Sequence, residues 1–320
     1  MNKFFILGCP RSGTTMVQQA LNRHSQIAIP AETKFFFSFL GQPKKYQLRH
    51  IERLNADLNI HLPPPVKRIA SDAEGRDYYE LMARHYLDGL CKPTVTCFGE
   101  KSPEHTGLLP RIRRMFPEAK FLVLYRDGRD VASSLSRMPW MTPNLYVNFV
   151  VWLYYYWVLL RERERNPDNL YFARYEDIVA DPRSELARIL DFLGLPYEAT
   201  VTEGHGNSEG VPLREYAWKR RALERIGTAR VGVFQHELSM DEIEVLERLG
   251  KEPLSALGYS LITDGTRRLP LTLLMKLTLD LTRFAIRLPR CSVLRELACR
   301  LSPDGKPTPS LATPVVPAPA

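Results

Sequence analysis

Hydrophobic and polar positions alternate along the chain with two different periods. Short runs that suit buried strands occur at 4–7, 97–101, 120–126 and 169–174. Segments with the apolar spacing of helices separate or follow them, at 14–24, 108–116, 128–137, 144–165 and 182–196. This alternation predicts an α/β fold with a parallel sheet flanked by helices, and the strand, loop and helix at the start resemble a P-loop.

The rest of the chain predicts three regions. Residues 33–92 look helical and irregular, and we expect a single main domain over 1–262. An amphipathic helical extension is predicted at 263–302. A Pro-rich tail at 303–320 is typical of disordered sequence.

Composition fits one large globular domain in a reducing compartment. The chain has 320 residues, of which 44% are hydrophobic, enough for a substantial core. Its five cysteines have neither metal-site nor Cys-x-x-Cys spacing, and an odd number argues against a disulfide framework. The first strand starts within a few residues of Met1, which leaves no room for a signal segment. We therefore expect a cytoplasmic protein without a bound metal.

The positive charge is unevenly distributed. The formal net charge is +8, and residues 267–300 hold eight Arg and Lys against two acidic residues. The remaining chain is nearly neutral and lacks the basic stripe with interleaved aromatic residues that nucleic-acid binding requires. We expect no nucleic-acid partner.

The segment "ILGCPRSGTT" at 6–15 has the features of an anion-binding loop. Gly8 and Gly13 border the turn between the first strand and the first helix, so that backbone N–H groups can face an anion at the helix N-terminus. The pattern G-x-x-x-x-G-K-[ST] of nucleotide triphosphatases has Lys where this chain has Thr14, and Arg11 supplies the cation instead. The alternative is an ordinary strand-to-helix turn.

A second anion-binding element is predicted in "YRDGRDVASS" at 125–134. Arg126 ends a strand, and Ser134 follows it by eight residues. Ligands of open parallel sheets bind at the carboxyl ends of the strands, so two such elements suggest a ligand with two separated phosphate groups. The alternative is that Arg126 only pairs with a neighbouring acid such as Asp127 or Asp130.

Three segments together resemble the sulfotransferases that use 3′-phosphoadenosine 5′-phosphosulfate (PAPS). They are "PRSGTT", "RDGRDVASS" and "YEDIVADPRSELARILDFLGLPY" (175–197). Within that superfamily the chain is most similar to the bacterial enzymes and the tyrosylprotein sulfotransferases, which share an acid-Thr-basic element matched here by "ETK" (32–34). The resemblance covers about 3–260. It implies PAPS as the donor, adenosine 3′,5′-bisphosphate as the product, and no metal.

The resemblance also implies roles for individual residues. The 5′-phosphosulfate is expected on Pro10, Arg11, Ser12, Gly13, Thr14 and Thr15, and the 3′-phosphate on Arg126 and Ser134. Arg11 is expected to stabilise the leaving phosphate, and Glu32 to act as general base. Lys101 resembles a lysine that some members bring to the sulfuryl group or the acceptor. His105 is the rival base, and Glu32 could instead be an acid at a helix N-terminus.

A further loop at 225–239 departs from the family pattern. The family usually returns a basic residue near a glycine to the 3′-phosphate. Arg225, Arg230 and Gly232 are the candidates here, and the sequence leaves the choice open.

The predicted function is transfer of a sulfuryl group from PAPS to a hydroxyl or amine. Two alternatives are an ATP-dependent small-molecule kinase with a variant phosphate loop and a catalytically inactive nucleotide-binding protein. The missing lysine argues against the first, and the retained Arg11, Glu32, Arg126 and Ser134 argue against the second. The acceptor stays open among sugars, lipids, peptides and small phenols.

The segment 269–290 predicts an amphipathic helix. Lys276, Asp280, Arg283 and Arg287 form one narrow polar stripe on a largely apolar surface. The charges argue against a membrane span but suit peripheral binding at an anionic membrane surface through 267–300, which would place the enzyme at the inner membrane face. Docking on the catalytic body or on the second subunit of a homodimer is the alternative.

Overall fold

A computed structural model describes residues 1–165, 168–203, 211–212 and 215–266, together with the isolated positions 268, 275, 278, 279 and 282. Within these residues the strands are β1 (Asn2–Gly8), β2 (Ile27–Ala28), β3 (Cys97–Lys101), β4 (Lys120–Tyr125) and β5 (Leu170–Arg174). They form one sheet in the order β2-β3-β1-β4-β5, and every neighbouring pair is parallel. The predicted α/β class with a parallel sheet is confirmed.

Helices connect the strands as the apolar spacing predicts. They are α1 (Thr14–Asn22), α2 (Phe35–Phe39), α3 (Lys44–Leu58), α4 (Asp72–Asp88), α5 (Leu109–Met115), α6 (Gly128–Leu135), α7 (Leu145–Arg165), α8 (Tyr175–Ala180), α9 (Pro182–Leu193), α10 (Thr200–Glu203), α11 (Tyr216–Lys219), α12 (Phe234–Glu237) and α13 (Met240–Ala256). Two 3₁₀ turns lie at Pro103–Leu108 and Arg220–Leu223. The two-residue strand β2 was not predicted, because so short an edge strand leaves no periodic signal.

The described chain divides into two compact units. The first combines Met1–Tyr125 with Leu159–Thr228 and contains the whole sheet. The second combines Arg126–Val158 with the described residues from Ala229 onward. The chain passes from the first unit to the second directly after β4, and returns within α7.

The sheet of the first unit is buried on both faces. One face carries Phe5 and Phe121, whose rings stack with centroids 5.5 Å apart, in a cluster that includes residues of α2 and α4. The opposite face carries Phe4 and Leu122, in a cluster with residues of α1 and α9. Burial on both faces explains the nearly continuous apolar runs of β1 and β4. The sheet is thus a rigid base for the loops at its edge.

Aromatic residues of α7 build the core of the second unit. A Cβ atom at Gly128 would lie 2.5 Å from the indole of Trp152, so only glycine lets α6 start this close to α7. Trp152 stacks on Phe149 at 5.1 Å and donates through Nε1 to the carbonyl of Arg126 at 3.1 Å. These rings therefore pack the protein interior and fix the start of α6.

The predicted C-terminal extension lies largely outside the described residues, and the tail at 303–320 lies wholly outside them. The boundaries at 262 and 302 and the amphipathic helix at 269–290 stay predictions. Within the part of the chain that the structure describes, no helix combines the length and the apolar character needed to cross a membrane.

Candidate active site

The loop after β1 depends on two glycines. Gly8 has a φ of 142°, and a Cβ atom there would lie 2.3 Å from the carbonyl oxygen of Leu124 on β4. Gly13 has a φ of 89°, and its Cβ would lie 2.6 Å from the ring of Tyr175. The amide of Gly8 donates to Thr106 Oγ1 at 3.1 Å, which ties the loop to the 3₁₀ turn after β3. Neither position accepts a side chain without displacement of its neighbours.

Several groups of this loop suit an anion. Helix α1 begins at Thr14, and its N-cap is Gly13, which has no side chain to accept from the first-turn amides. Ser12 is buried, and its Oγ has no hydrogen-bond partner within the described part of the chain. Arg11 is half-buried with a φ of 74°, a conformation rare for a residue with a side chain. A phosphate or sulfate oxygen fits this set of donors.

Glu32, Lys101, Lys219 and Glu215 form a compact group of charges, called here the Glu32 cluster. The Glu32 carboxylate accepts through Oε1 from the ammonium of Lys101 and from that of Lys219, the latter at 2.8 Å. Lys101 also donates to Thr15 Oγ1 at 3.2 Å, and Lys219 to Glu215 Oε2 at 2.5 Å. Lys101 thus joins the phosphate loop to the proposed base.

Electrostatics in the Glu32 cluster favour the ionised forms of Glu32 and Lys219 but not that of Lys101. Burial alone would raise the pKa of Glu32, but the ammonium groups of Lys101 and Lys219 outweigh it and hold the pKa well below the usual value. Burial would lower the pKa of Lys219, but Glu32 and Glu215 raise it. Because burial opposes its charge and Glu32 offsets this only in part, the pKa of Lys101 falls to about 8.

A buried polar network behind Glu32 positions it. Thr33 and Ser102 both donate their hydroxyls to Glu100 Oε1, at 2.9 and 2.7 Å. The amide of Lys34, which has a φ of 51°, donates to Ser102 Oγ at 2.9 Å. Helix α2 begins only after Lys34, so the carboxylate of Glu32 contacts lysines rather than the first turn of a helix. This geometry argues against the helix-terminus alternative, and the base role of Glu32 stays a prediction.

His105 lies in the same network and is fully buried. Its Nε2 accepts from the amide of Phe36 at 3.2 Å, so this nitrogen carries no proton and any ring proton sits on Nδ1. Nδ1 lies 3.7 Å from Glu100 Oε1. Burial lowers the pKa of His105 to about 3 and raises that of Glu100 to about 7. With Nε2 engaged and the ring buried, His105 is poorly placed to take a proton from an acceptor.

In the second unit, Arg126, Asp130, Arg230 and Gly232 form the Arg126 cluster. Arg126 Nη2 donates to Asp130 Oδ2 at 3.1 Å and to the carbonyl oxygen of Arg230. Asp130 also accepts from the amides of Gly232 and Phe234, each at 2.9 Å. Asp130 therefore holds the loop at 230–234 against Arg126.

The structure sorts the candidates for the 3′-phosphate. The pairing of Arg126 with a neighbouring acid, given above as the alternative, is present with Asp130, and Ser134 lies half-buried on α6. Arg230 and Gly232 join Arg126 through their backbones, and the side chain of Arg230 lies 3.7 Å from Glu237. Arg225 lies in the first unit and is exposed. The structure thus brings Arg230 and Gly232 to Arg126, and the choice among the three candidates stays a prediction.

Lys219 and Glu215 were missed in the sequence, and Asp130 was recognised only in part. Lys219 lies 187 residues from Glu32, and the only local signal was its i, i+4 spacing from Glu215. Asp130 was considered only as a partner of Arg126, whereas it also accepts two amides from residues more than 100 positions away. Neither long-range contact has a signature in spacing.

The expected absence of a metal stays a prediction. Among the residues that the structure describes, no group of three or more His, Cys, Asp or Glu side chains could hold a metal ion.

A parallel sheet that ends in a glycine-bordered anion loop defines a P-loop-like α/β protein. The family model of the sulfotransferase family matches residues 3–199, more than half of the chain. The chain belongs to this sulfotransferase family, which confirms the resemblance found in its motifs.

Individual relatives are distant. The protein-tyrosine sulfotransferase of Drosophila melanogaster is 28% identical over 224 residues, which cover 67% of this chain and 42% of that protein. The nodulation protein NoeE of Sinorhizobium fredii is 24% identical over 280 residues, 80% of this chain and 65% of that protein. The chain thus spans less than two thirds of the length of these two relatives.

A solved structure agrees in fold. The sulfotransferase domain of the Synechococcus PCC 7002 olefin synthase superposes with a TM-score of 0.58 at 22% identity, over 78% of this chain and 94% of that domain. At this identity the likeness shows the fold alone.

Proposed function

We propose that this protein transfers a sulfuryl group from PAPS to a hydroxyl or amine of an acceptor, with Glu32 as general base and Arg11 stabilising the leaving phosphate. Membership of the sulfotransferase family supports sulfuryl transfer as the reaction class. The donor, the residue roles and the acceptor class go beyond that membership and are proposals.

The observation that carries the proposal is the position of Lys101. Its ammonium contacts both Thr15 of the phosphate loop and the carboxylate of Glu32. An ammonium that contacts both the loop and the carboxylate can stabilise negative charge on either of them as the charge distribution changes during the reaction. The group that donates the sulfuryl and the group that accepts a proton would thus be served by the same ammonium.

The residues present fit the PAPS donor. The unpartnered Oγ of buried Ser12, the glycine-bordered turn and the guanidinium of Arg11 suit the 5′-phosphosulfate. Arg126 and Ser134, with the loop at 230–234, would hold the 3′-phosphate. The donor supplies a sulfuryl group already activated by its anhydride link to phosphate.

Within this proposal, transfer is an in-line displacement. The acceptor oxygen or nitrogen forms a bond to sulfur while the bond from sulfur to the bridging phosphate oxygen breaks, and Glu32 takes the proton of the acceptor. Arg11 and Lys101 would balance the charge that returns to the phosphate. Catalysis then rests chiefly on positioning and on fixed positive charge.

The two ammonium groups on Glu32 make it a weak base in the structure described. A carboxylate with a depressed pKa accepts a proton poorly. Anionic oxygens of a bound donor would compete for Lys101 and so raise the basicity of Glu32. The proposal therefore couples donor binding to activation of the base.

Calorimetry tests the donor class. We expect adenosine 3′,5′-bisphosphate to bind without magnesium and more tightly than ATP, because its 3′-phosphate would contact the Arg126 cluster. Binding of ATP that depends on magnesium, with no binding of the bisphosphate, would favour the kinase alternative. Tight binding of the bisphosphate without sulfuryl transfer to any acceptor would favour the inactive nucleotide-binding protein. Acceptor extracts incubated with radiolabelled PAPS then identify the acceptor.

We also propose that the basic segment 267–300 binds an anionic membrane surface near the acceptor. Each basic residue near such a surface contributes about 1 kcal/mol. Salt-sensitive binding to anionic vesicles that is lost on deletion of 267–320 supports this, with bisphosphate binding retained as the control. If the full-length protein does not bind anionic vesicles even at low salt, the alternative that the segment docks on the catalytic body or on a second subunit is favoured.

A further inference from the structure

Residues 215–223 contact the candidate active site without a role in the function proposed above. They comprise the start of a turn at Glu215, helix α11 and the 3₁₀ turn at Arg220–Leu223. Within this stretch Trp218 and Lys219 face the residues already assigned to chemistry. The carbonyl oxygen of Trp218 accepts from Arg11 Nη1 at 3.2 Å, and the ammonium of Lys219 lies 2.8 Å from Glu32 Oε1.

Lys219 is held differently from Lys101. The ammonium of Lys101 contacts a hydroxyl of the phosphate loop as well as Glu32. That of Lys219 contacts two carboxylates, Glu32 and Glu215, and its side chain is only 8% exposed. A buried ammonium between two carboxylates can keep an ion pair with either one of them.

We propose that Lys219 is a positioning residue for Glu32. Its ammonium holds the ionised carboxylate in place in the resting site, and when Glu32 takes a proton the ammonium keeps its ion pair with Glu215. This inference rests on the proposed function, because it gives Glu32 a proton to take. It adds a second cation, carried by a segment that also contacts Arg11.

This proposal explains why the ammonium of Lys219 contacts two carboxylates rather than one. If Glu32 becomes neutral, a lone buried ammonium at Lys219 would be costly, and the ion pair with Glu215 removes that cost. The raised pKa of Lys219, which Glu32 and Glu215 cause against the effect of burial, agrees with this double pairing. Lys219 can thus stay charged throughout the reaction.

Other charged groups also surround Glu32. Arg53 of α3 donates to the backbone carbonyl of Glu32 at 3.5 Å, not to its carboxylate. The titratable and charged groups that surround Glu32 from the described elements are Lys101 and Glu100 of β3, His105 of the 3₁₀ turn, Arg53 of α3, and Lys219 and Glu215 at α11.

Carboxyl-carbon NMR of the full chain labelled at glutamate Cδ tests the inference without donor or acceptor. The Glu32 resonance is identified by its loss in Glu32→Gln. In the wild type we expect this resonance to stay in the ionised position down to about pH 4. Loss of one direct cation raises the midpoint of a carboxyl titration by about 1–3 pH units, so we expect the Glu32 midpoint in Lys219→Met to lie that far above the wild-type midpoint.

Two matched variants separate the ammonium from the fold around it. Lys219→Arg keeps the charge and should leave the resonance ionised as in the wild type. Glu215→Gln disturbs the same turn but frees Lys219 for Glu32, so it should not raise the midpoint. The inference is overturned if Glu32 titrates with the same midpoint in Lys219→Met as in the wild type, or if Glu215→Gln raises the midpoint as much as Lys219→Met does. The other glutamate resonances and the melting temperature verify that each variant is folded.

The outcome is separable from that of the proposed function. Calorimetry with adenosine 3′,5′-bisphosphate and turnover of Glu32→Gln test the donor and the base. An unshifted Glu32 resonance in Lys219→Met, together with inactive Glu32→Gln, removes the role of Lys219 alone. A shifted resonance together with active Glu32→Gln confirms the contact and removes the role of Glu32 as base, and with it the proposed role of Glu215.

Discussion

The Glu32 cluster and the Arg126 cluster both place a buried carboxylate against basic groups, but they are built differently. In the first, ammonium groups from β3 and α11 converge on a carboxylate that follows β2. In the second, a carboxylate and a guanidinium four residues apart pair at the start of α6, and two backbone amides complete the set. One cluster is assembled from three distant segments and the other grows from a local pair.

The difference bears on what each cluster can do. Cations on long side chains can shift when charge is redistributed. This suits the proposed reaction, in which the acceptor loses a proton as it gains a sulfuryl group. A carboxylate bound by two backbone amides instead fixes a loop, which suits a site that only grips an anion. The first cluster should therefore control turnover and the second affinity.

Glu32→Gln should give the largest effect. We expect turnover to fall by about 10²–10⁴-fold, the usual contribution of a general base, with binding of adenosine 3′,5′-bisphosphate retained. Steady-state rates with radiolabelled PAPS and calorimetry measure the two quantities. Arg11→Ala is the contrasting variant, since it should lose both binding and turnover. Near wild-type turnover of Glu32→Gln would place the base elsewhere, and His105 would be tested next.

Arg126→Ala should weaken donor binding in the second cluster. A lost charge-assisted contact costs roughly 1.5–3 kcal/mol, or about ten-fold or more in affinity for the bisphosphate. Adenosine 5′-monophosphate, which lacks the 3′-phosphate, should bind the variant and the wild type alike. Unchanged affinity for the bisphosphate would show that Arg126 serves only its ion pair with Asp130.

Glu100→Gln should change the pH dependence of stability. Burial raises the pKa of Glu100 from 4.5 to about 7 in the folded protein. Between these values the folded state retains a proton that the unfolded state has lost, so this residue makes stability fall as pH rises from about 4.5 to 7. The slope should be shallower in the variant, by an accumulated difference of about 3 kcal/mol at pH 7.

Urea unfolding at several pH values checks this expectation. Glutamine keeps the oxygen that accepts from Thr33 and Ser102, so the network should persist. Parallel curves for the two proteins would mean that the pKa of Glu100 is the same in the folded and the unfolded state.

Ser134→Ala should give the smallest effect. A neutral hydroxyl contributes about 0.5–1.5 kcal/mol to an interaction, so affinity for the bisphosphate should fall only several-fold, with turnover at saturating donor unchanged. Calorimetry measures the affinity, and Ser133→Ala, one residue earlier on α6, is the neighbouring control. A loss as large as that of Arg126→Ala would mean that the hydroxyl shapes the Arg126 cluster itself.

Much of the fold follows from local sequence. The apolar runs of β1 and β4 and the amphipathic spacing of α1, α6 and α9 each reflect burial that is decided within a few residues of the chain. The same holds for Arg126 and Ser134, which keep their spacing at a strand end and on one helix. Such features could be predicted because neighbouring residues form them. The glycines of the loop at 8–15 were recognised from their spacing, although the contacts that require them, with Leu124 and Tyr175, are long-range.

Tertiary structure alone decided which charges meet. Nothing in the composition or spacing of "REYAWKR" places Lys219 on Glu32, because the contact joins segments 187 residues apart and depends on packing along the whole first unit. The short strand β2 is formed by pairing with β3, and His105 Nε2 accepts a hydrogen bond from a backbone amide of α2. Long-range pairing is set by the geometry of packed elements, whereas the sequence by itself specifies the elements and the chemistry that they can carry.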